Sequence, residues 1–164
     1  MKYFLSFSLL LILGILFLSC QDSVVEPENQ FVKIYLKYDH KNVLNTFDNT
    51  YQKDLVLDGT ITVNFWLTAD EQNQILNKAN EINFFTFPES FETDSSLPIP
   101  SENFGQQKLR IKFNDINNTV VWYYPLYDND QQVKDLMAIE DLIRSIIEAK
   151  PEYKKLPEGR GGYL

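Results

Sequence analysis

Three stretches of the chain alternate apolar and polar residues with the two-residue period of a half-buried strand. In Phe31 to Tyr38, Val32, Ile34, Leu36 and Tyr38 share one face, and Lys33, Tyr35 and Lys37 share the other. Leu55 to Leu67 is β-rich: Ile61, Val63, Phe65 and Leu67 alternate with Thr60, Thr62, Asn64 and Trp66, and Gly59 marks a bend or bulge within the run. Lys108 to Phe113 alternates again, with Leu109, Ile111 and Phe113 inward. Asp115 to Asn118 reads as a turn and Thr119 to Tyr124 as its returning strand, which predicts a hairpin. Residues 39 to 52 are rich in asparagine and read as loop.

Two segments switch to a helical period. Thr68-Ala69-Asp70-Glu71 has capping-box spacing, in which the threonine hydroxyl accepts from a free backbone N–H and the glutamate reaches back. It predicts a helix to about Ile82 that buries Ile75, Leu76, Ala79 and Ile82. Asp130 is placed to cap a second helix to about Ala149, whose Val133, Leu136, Met137, Ile139, Ile143, Ile146 and Ile147 form a broad apolar stripe, and Pro151 ends it. Between them lie an aromatic stretch, Phe84-Phe85-Thr86-Phe87, and a proline- and serine-rich loop over residues 88 to 105. The order β-β-α-β-β-α predicts an α+β fold: an antiparallel sheet of about four strands with two helices packed on one face. Residues 31–150 form the single domain in this reading. Residues 151–164 form a C-terminal tail, its Gly159-Arg160-Gly161-Gly162 expected to be mobile.

The N-terminus carries a different signal. Lys2 supplies a positive charge, Tyr3 to Leu18 is almost unbroken apolar sequence, and small Ser19 precedes Cys20. These parts make a secretory signal peptide over residues 1–19. Phe17-Leu18-Ser19-Cys20 resembles the lipobox of bacterial lipoproteins. That resemblance implies acylation of the Cys20 thiol, cleavage before it and further acylation of the freed amino group, since two or three chains anchor stably where one does not. A retained membrane helix is the alternative. Residues 20–30 then form the lipidated cysteine and a polar tether. Gln21, where enteric lipoproteins retained at the inner membrane have aspartate, resembles outer-membrane sorting. Asp22-Ser23-Val24 resembles a periplasmic O-glycosylation acceptor, with Ser23 as its site. Acid at Asp22, Glu26 and Glu28 reads as a solvated tether.

Charge and chemistry narrow the function by exclusion. With 15 basic and 23 acidic residues the net charge is −8, and −9 once Lys2 leaves with the signal. Excess acid keeps a protein soluble and disfavours nucleic acid as partner. Cys20 is the one cysteine and His40 the one histidine, too few nitrogen and sulfur ligands for an ordinary zinc or copper site. No serine sits in a nucleophile elbow, no glycine-rich phosphate cradle occurs, and no cofactor is expected. The expectation is a non-enzymatic cell-envelope lipoprotein, anchored in the bilayer through Cys20, that binds another envelope protein. Its candidate docking loop carries Phe91, Glu92, Asp94, Ile99 and Phe104, an apolar anchor ringed by acid. The alternative is a carbohydrate-binding module stacking sugar on the strand tryptophans Trp66 and Trp122. A small envelope hydrolase using two carboxylates is the weakest reading.

Overall fold

The computed structural model describes residues 32–91, 105–123, 126 and 130–163. Six strands form one sheet: β1 (Val32–Tyr38), β2 (Asn42–Asn45), β3 (Thr50–Asp54), β4 (Thr60–Asn64), β5 (Gln106–Phe113) and β6 (Ile116–Tyr123). Their order is β4-β3-β2-β1-β5-β6, with every neighbour antiparallel. The first four strands meander outward from β1 to one edge. The β5–β6 hairpin returns on the other side, so β1 is central.

The α+β class and the antiparallel sheet are as the periodicity predicts, but the sheet has six strands, not about four. The element order differs too, with four strands before the first helix. Residues 39–52 are not loop. They contain β2 and the start of β3, whose inward positions hold only Leu44, Tyr51 and Lys53. Leu55 to Leu67 is broken: β4 starts at Thr60, after a turn at Leu55 to Gly59. The hairpin turn is tighter than expected, at Asn114-Asp115, with Asn114 in the left-handed region that asparagine tolerates.

Helix α1 (Ala69–Glu81) starts at the capping box. Glu71 N–H donates to the Thr68 hydroxyl at 3.2 Å, and the Glu71 carboxylate accepts from Thr68 N–H at 2.7 Å. The aromatic stretch after it forms a 3₁₀ turn, Phe84–Thr86. Helix α2 (Gln131–Ala149) is capped by Asp130, which accepts from Gln132 N–H at 2.9 Å. Pro151 does end α2, but it also opens a further short helix, α3 (Pro151–Lys154), as the first-turn position of proline allows.

The core lies between the helices and the inward face of the sheet. Ile34, Leu36, Leu109, Ile111 and Trp122 meet Ile75, Leu136, Ile139 and Ile143 there, all fully or almost fully buried. The tail, expected to be mobile, closes over the β3 end. Arg160 bridges Val56 through backbone bonds to Leu55 and Leu57, its guanidinium is bonded to Asp58, and the Tyr163 ring stacks on His40 at 3.6 Å. These contacts are with partners about a hundred residues away in sequence, and polar composition alone does not register them. Among the described residues no helix is long and apolar enough to cross a membrane, and the apolar run before Cys20 lies outside them.

Candidate functional site

The outward face of the sheet, opposite the helices, concentrates positive charge on its central strands, with Asp48, bonded to Asn45, and Glu89, beside Thr119 and Val121, at its flanks. Strand β1 reads VKIYLKY and β5 reads QQKLRIKF. Strand alternation sends their apolar residues inward and Lys33, Lys37, Lys108, Arg110 and Lys112 outward. The β1–β5 register then sets Lys33 opposite Lys112, Tyr35 opposite Arg110 and Lys37 opposite Lys108. Neither strand carries a carboxylate. Across all six strands the one acidic residue is Asp54, at the far end of β3, out of 23 in the chain.

Three of the cations contact neutral groups of the described residues. Lys108 Nζ lies 5.6 Å from the centre of the Tyr35 ring, and the Arg110 guanidinium lies 4.7 Å from that of Phe47. Arg110 Nε donates to Asn117 at 2.9 Å, and Lys33 Nζ donates to the Thr46 carbonyl at 2.9 Å. A hollow of about 410 Å³, lined by Tyr35, Asn45, Phe47, Lys108 and Arg110, opens at the middle of this face. Its size is at the lower end of ligand sites, but it is open, and its lining mixes two aromatic rings with an amide and two cations.

A second hollow lies at the strand ends, lined by Asp39, His40, Asn42, Asp54, Gln107 and Tyr163 among others. It gathers the lone histidine and two carboxylates, the components a hydrolase needs. Each of them has a bond that closes the fold. His40 is stacked under Tyr163, whose hydroxyl donates to Asp54 at 2.6 Å, and Asp39 pairs with Arg144 at 3.5 Å and accepts from Asn42 at 3.3 Å. Beneath it, the Tyr38 and Tyr51 hydroxyls share a 2.6 Å hydrogen bond. Burial first, and for Tyr51 also the neighbouring Tyr38, pushes both phenols well above their ordinary pKa, so both stay neutral and one hydroxyl donates to the other. Among the described residues no group of three or more His, Cys, Asp or Glu could hold a metal ion.

The sequence-derived candidates separate. Trp122 is 0% exposed, packed inward from β6, so it is not a sugar-stacking residue. Its alternation partner Tyr123 faces out instead. Trp66 is 56% exposed and follows β4 in the outward phase, so it remains available. Phe91 is partly buried against the core with its ring 6.0 Å from Phe87, and its N–H bonds to the Val121 carbonyl at 3.0 Å, laying residues 89–91 along the β6 edge. It is an anchor for its own chain rather than a free docking side chain. Glu92, Asp94, Ile99 and Phe104, with Cys20 and Ser23, lie outside the described residues. The basic face was missed because its two halves are far apart in sequence; the signal was there in the lysines on the polar phase of β1 and β5. Compared with known protein families, with curated proteins and with solved structures, the chain matches none.

Proposed function

We propose that this chain is a lipid-anchored, non-enzymatic binding protein of the cell envelope, most consistent with the outer membrane, that engages its partner through the open face of the sheet. The anchor rests on the lipobox-like sequence before Cys20. The binding surface rests on one observation: five cations stand together on β1 and β5 in a chain of net charge −8. Such segregation creates a local positive field that steers an acidic partner to one face, while the rest of the molecule repels it. This shifts the binding site from the 88–105 loop to the sheet.

The test uses the full chain in its native envelope. Cys20→Ala is expected to abolish acyl labelling and to block the mass loss of cleavage. Lys108→Glu combined with Arg110→Glu is expected to strip the envelope material that wild type retains on an affinity support. Replacing residues 92–103 with a short Gly-Ser linker is expected to leave that material in place. A charge-reversed chain that folds and retains everything wild type retains overturns the assignment.

A further inference from the structure

Resting on the reading of the sheet face as the binding surface, we infer that its partner is an anionic polysaccharide carrying carboxylates, laid across the strands. Two rows of outward residues cross the sheet, each position the register partner of the next. One row is Asn64, Thr50, Asn45, Tyr35, Arg110 and Thr119. The row beside it is Thr62, Gln52, Val43, Lys37, Lys108 and Val121. At a strand spacing of about 4.8 Å, each row spans roughly 24 Å, enough for several units of an extended polymer. Amides and hydroxyls occupy the β2–β4 half of these rows and cations the β1–β5 centre. A polymer of hydroxyls with a carboxylate on each unit presents both complements at once: hydroxyls to Thr50, Thr62 and Asn64, and carboxylates to Lys37, Lys108 and Arg110.

Composition separates this class from the others that carry negative charge. A protein interface needs an open apolar centre, but the Tyr35 and Phe47 rings at the centre of this face lie under Lys108 and Arg110, and the two rows add only Val43 and Val121 as aliphatic contacts. A single-stranded nucleic acid is held by bases stacked on aromatic faces, but Lys108 already lies over Tyr35 and Arg110 over Phe47. A lipid surface requires apolar groups to enter it, and the two rings at the centre of this face lie under cations. The exposed ring of Trp66, beside the Asn64 end of the first row, extends the polar track with a surface suited to a sugar face.

The experiment measures retention of the full-length lipidated protein, purified in detergent, on immobilised polygalacturonate. Methyl-esterified polygalacturonate, polyglutamate and single-stranded DNA run in parallel. Wild type is expected to bind polygalacturonate in low salt, to lose it progressively as salt screens the charges, and to bind the esterified polymer at least tenfold more weakly. Lys37→Glu with Lys108→Glu should weaken binding at least tenfold, whereas Lys134→Glu with Lys154→Glu, on the helices, should not. Thr62→Ala with Asn64→Ala, which leaves every charge in place, should weaken polygalacturonate several-fold and polyglutamate not at all. If polyglutamate or DNA binds as tightly as polygalacturonate and is lost equally on charge reversal, the saccharide assignment falls while the sheet face stands as the binding surface. If wild type binds polygalacturonate no better than the charge-reversed variant, the saccharide assignment also falls. Should the envelope retention be equally indifferent to charge reversal, the binding-surface reading falls with it.

Discussion

Replacing Glu71 with alanine should destabilise the domain more than its place on the first turn of a helix suggests. The carboxylate accepts from Thr68 N–H at 2.7 Å and from Lys150 Nζ at 2.7 Å, tying the start of α1 to the end of α2. The Glu71 side chain is 22% exposed and that of Lys150 11%. Loss of the cap bond costs about 1 kcal/mol. Leaving Lys150 largely buried without its counter-ion adds a further ~1 to 2 kcal/mol, less than the 3 to 5 typical of a wholly buried pair because water reaches part of it. The total of about 2 to 3 kcal/mol corresponds to a fall in Tm on the order of 8 °C. Thr68→Ala, which removes only one bond of the box, should cost about 1 kcal/mol. Burial raises the Glu71 pKa, but the bonds to Lys150 and Thr68 outweigh it and hold the carboxyl below its ordinary value. A depressed folded-state pKa contributes stability above the unfolded value and loses it as pH falls through the folded one. Wild type should therefore lose stability more steeply than Glu71→Gln as pH falls below about 4.5. Urea midpoints of the two single variants, Lys150→Met and the Glu71→Ala/Lys150→Met double variant measure the coupling. A coupling near zero, or Glu71→Ala no worse than Thr68→Ala, refutes the argument.

Two further outcomes test the core and its polar insertion. Ile111→Ala, fully buried on β5, should cost roughly 2 to 5 kcal/mol by urea denaturation, and an effect below about 0.5 kcal/mol would mean its neighbours collapse into the space. Tyr38 and Tyr51 have folded-state pKa values raised by burial, so their contribution is fully present below the ordinary tyrosine pKa of about 10 and is lost as pH rises beyond it. Absorbance near 295 nm should accordingly show these two phenols ionising only with alkaline unfolding. Smooth titration of every tyrosine before loss of near-ultraviolet circular dichroism would contradict their burial.

What could be read from the chain alone was what is encoded locally. The Thr68 and Asp130 caps, the helix stripes and the alternation in β1, β5 and β6 each depend on residues within a few positions of one another. Strands β2 and β3 were hidden because NVLN and TYQKD bury only Leu44, Tyr51 and Lys53, too few apolar positions to establish a period. Lys53 makes this plain. A lysine reads as an outward residue, but here it points inward, 6% exposed, because Tyr153 of α3 takes its charge over a ring and Glu158 of the tail pairs with it at 3.2 Å. Neither partner belongs to the TYQKD segment itself. The tail was misjudged for the same reason. Gly161 reads as flexibility, but its left-handed φ of +86° serves a docked turn against Leu57. The basic face had the same fate. Lys33 and Lys37 look like a solvated strand edge until the β1–β5 pairing places them against Lys108, Arg110 and Lys112.

That placement carries a stability cost, which gives a last test. Like charges directly opposite one another on a sheet destabilise it, whereas opposite charges there contribute roughly 0.2 to 1 kcal/mol. Lys33 opposes Lys112 and Lys37 opposes Lys108, in a chain with more acidic than basic residues to draw on. A sheet arranged for stability alone would interleave the signs. Lys37→Glu places a carboxylate opposite Lys108 and should raise stability by about 0.5 to 1 kcal/mol in low salt, from both the lost repulsion and the new pair. The gain should shrink in high salt, where the Debye length falls to about 3 Å at 1 M. The same substitution should weaken retention on polygalacturonate. Stability and binding moving in opposite directions on one substitution is what a surface kept positive for a partner predicts. If Lys37→Glu lowers stability in low salt, or its effect does not change with salt, then Lys37 contributes through the packing of its methylenes rather than its charge, and the paired lysines carry no cost that a partner need offset.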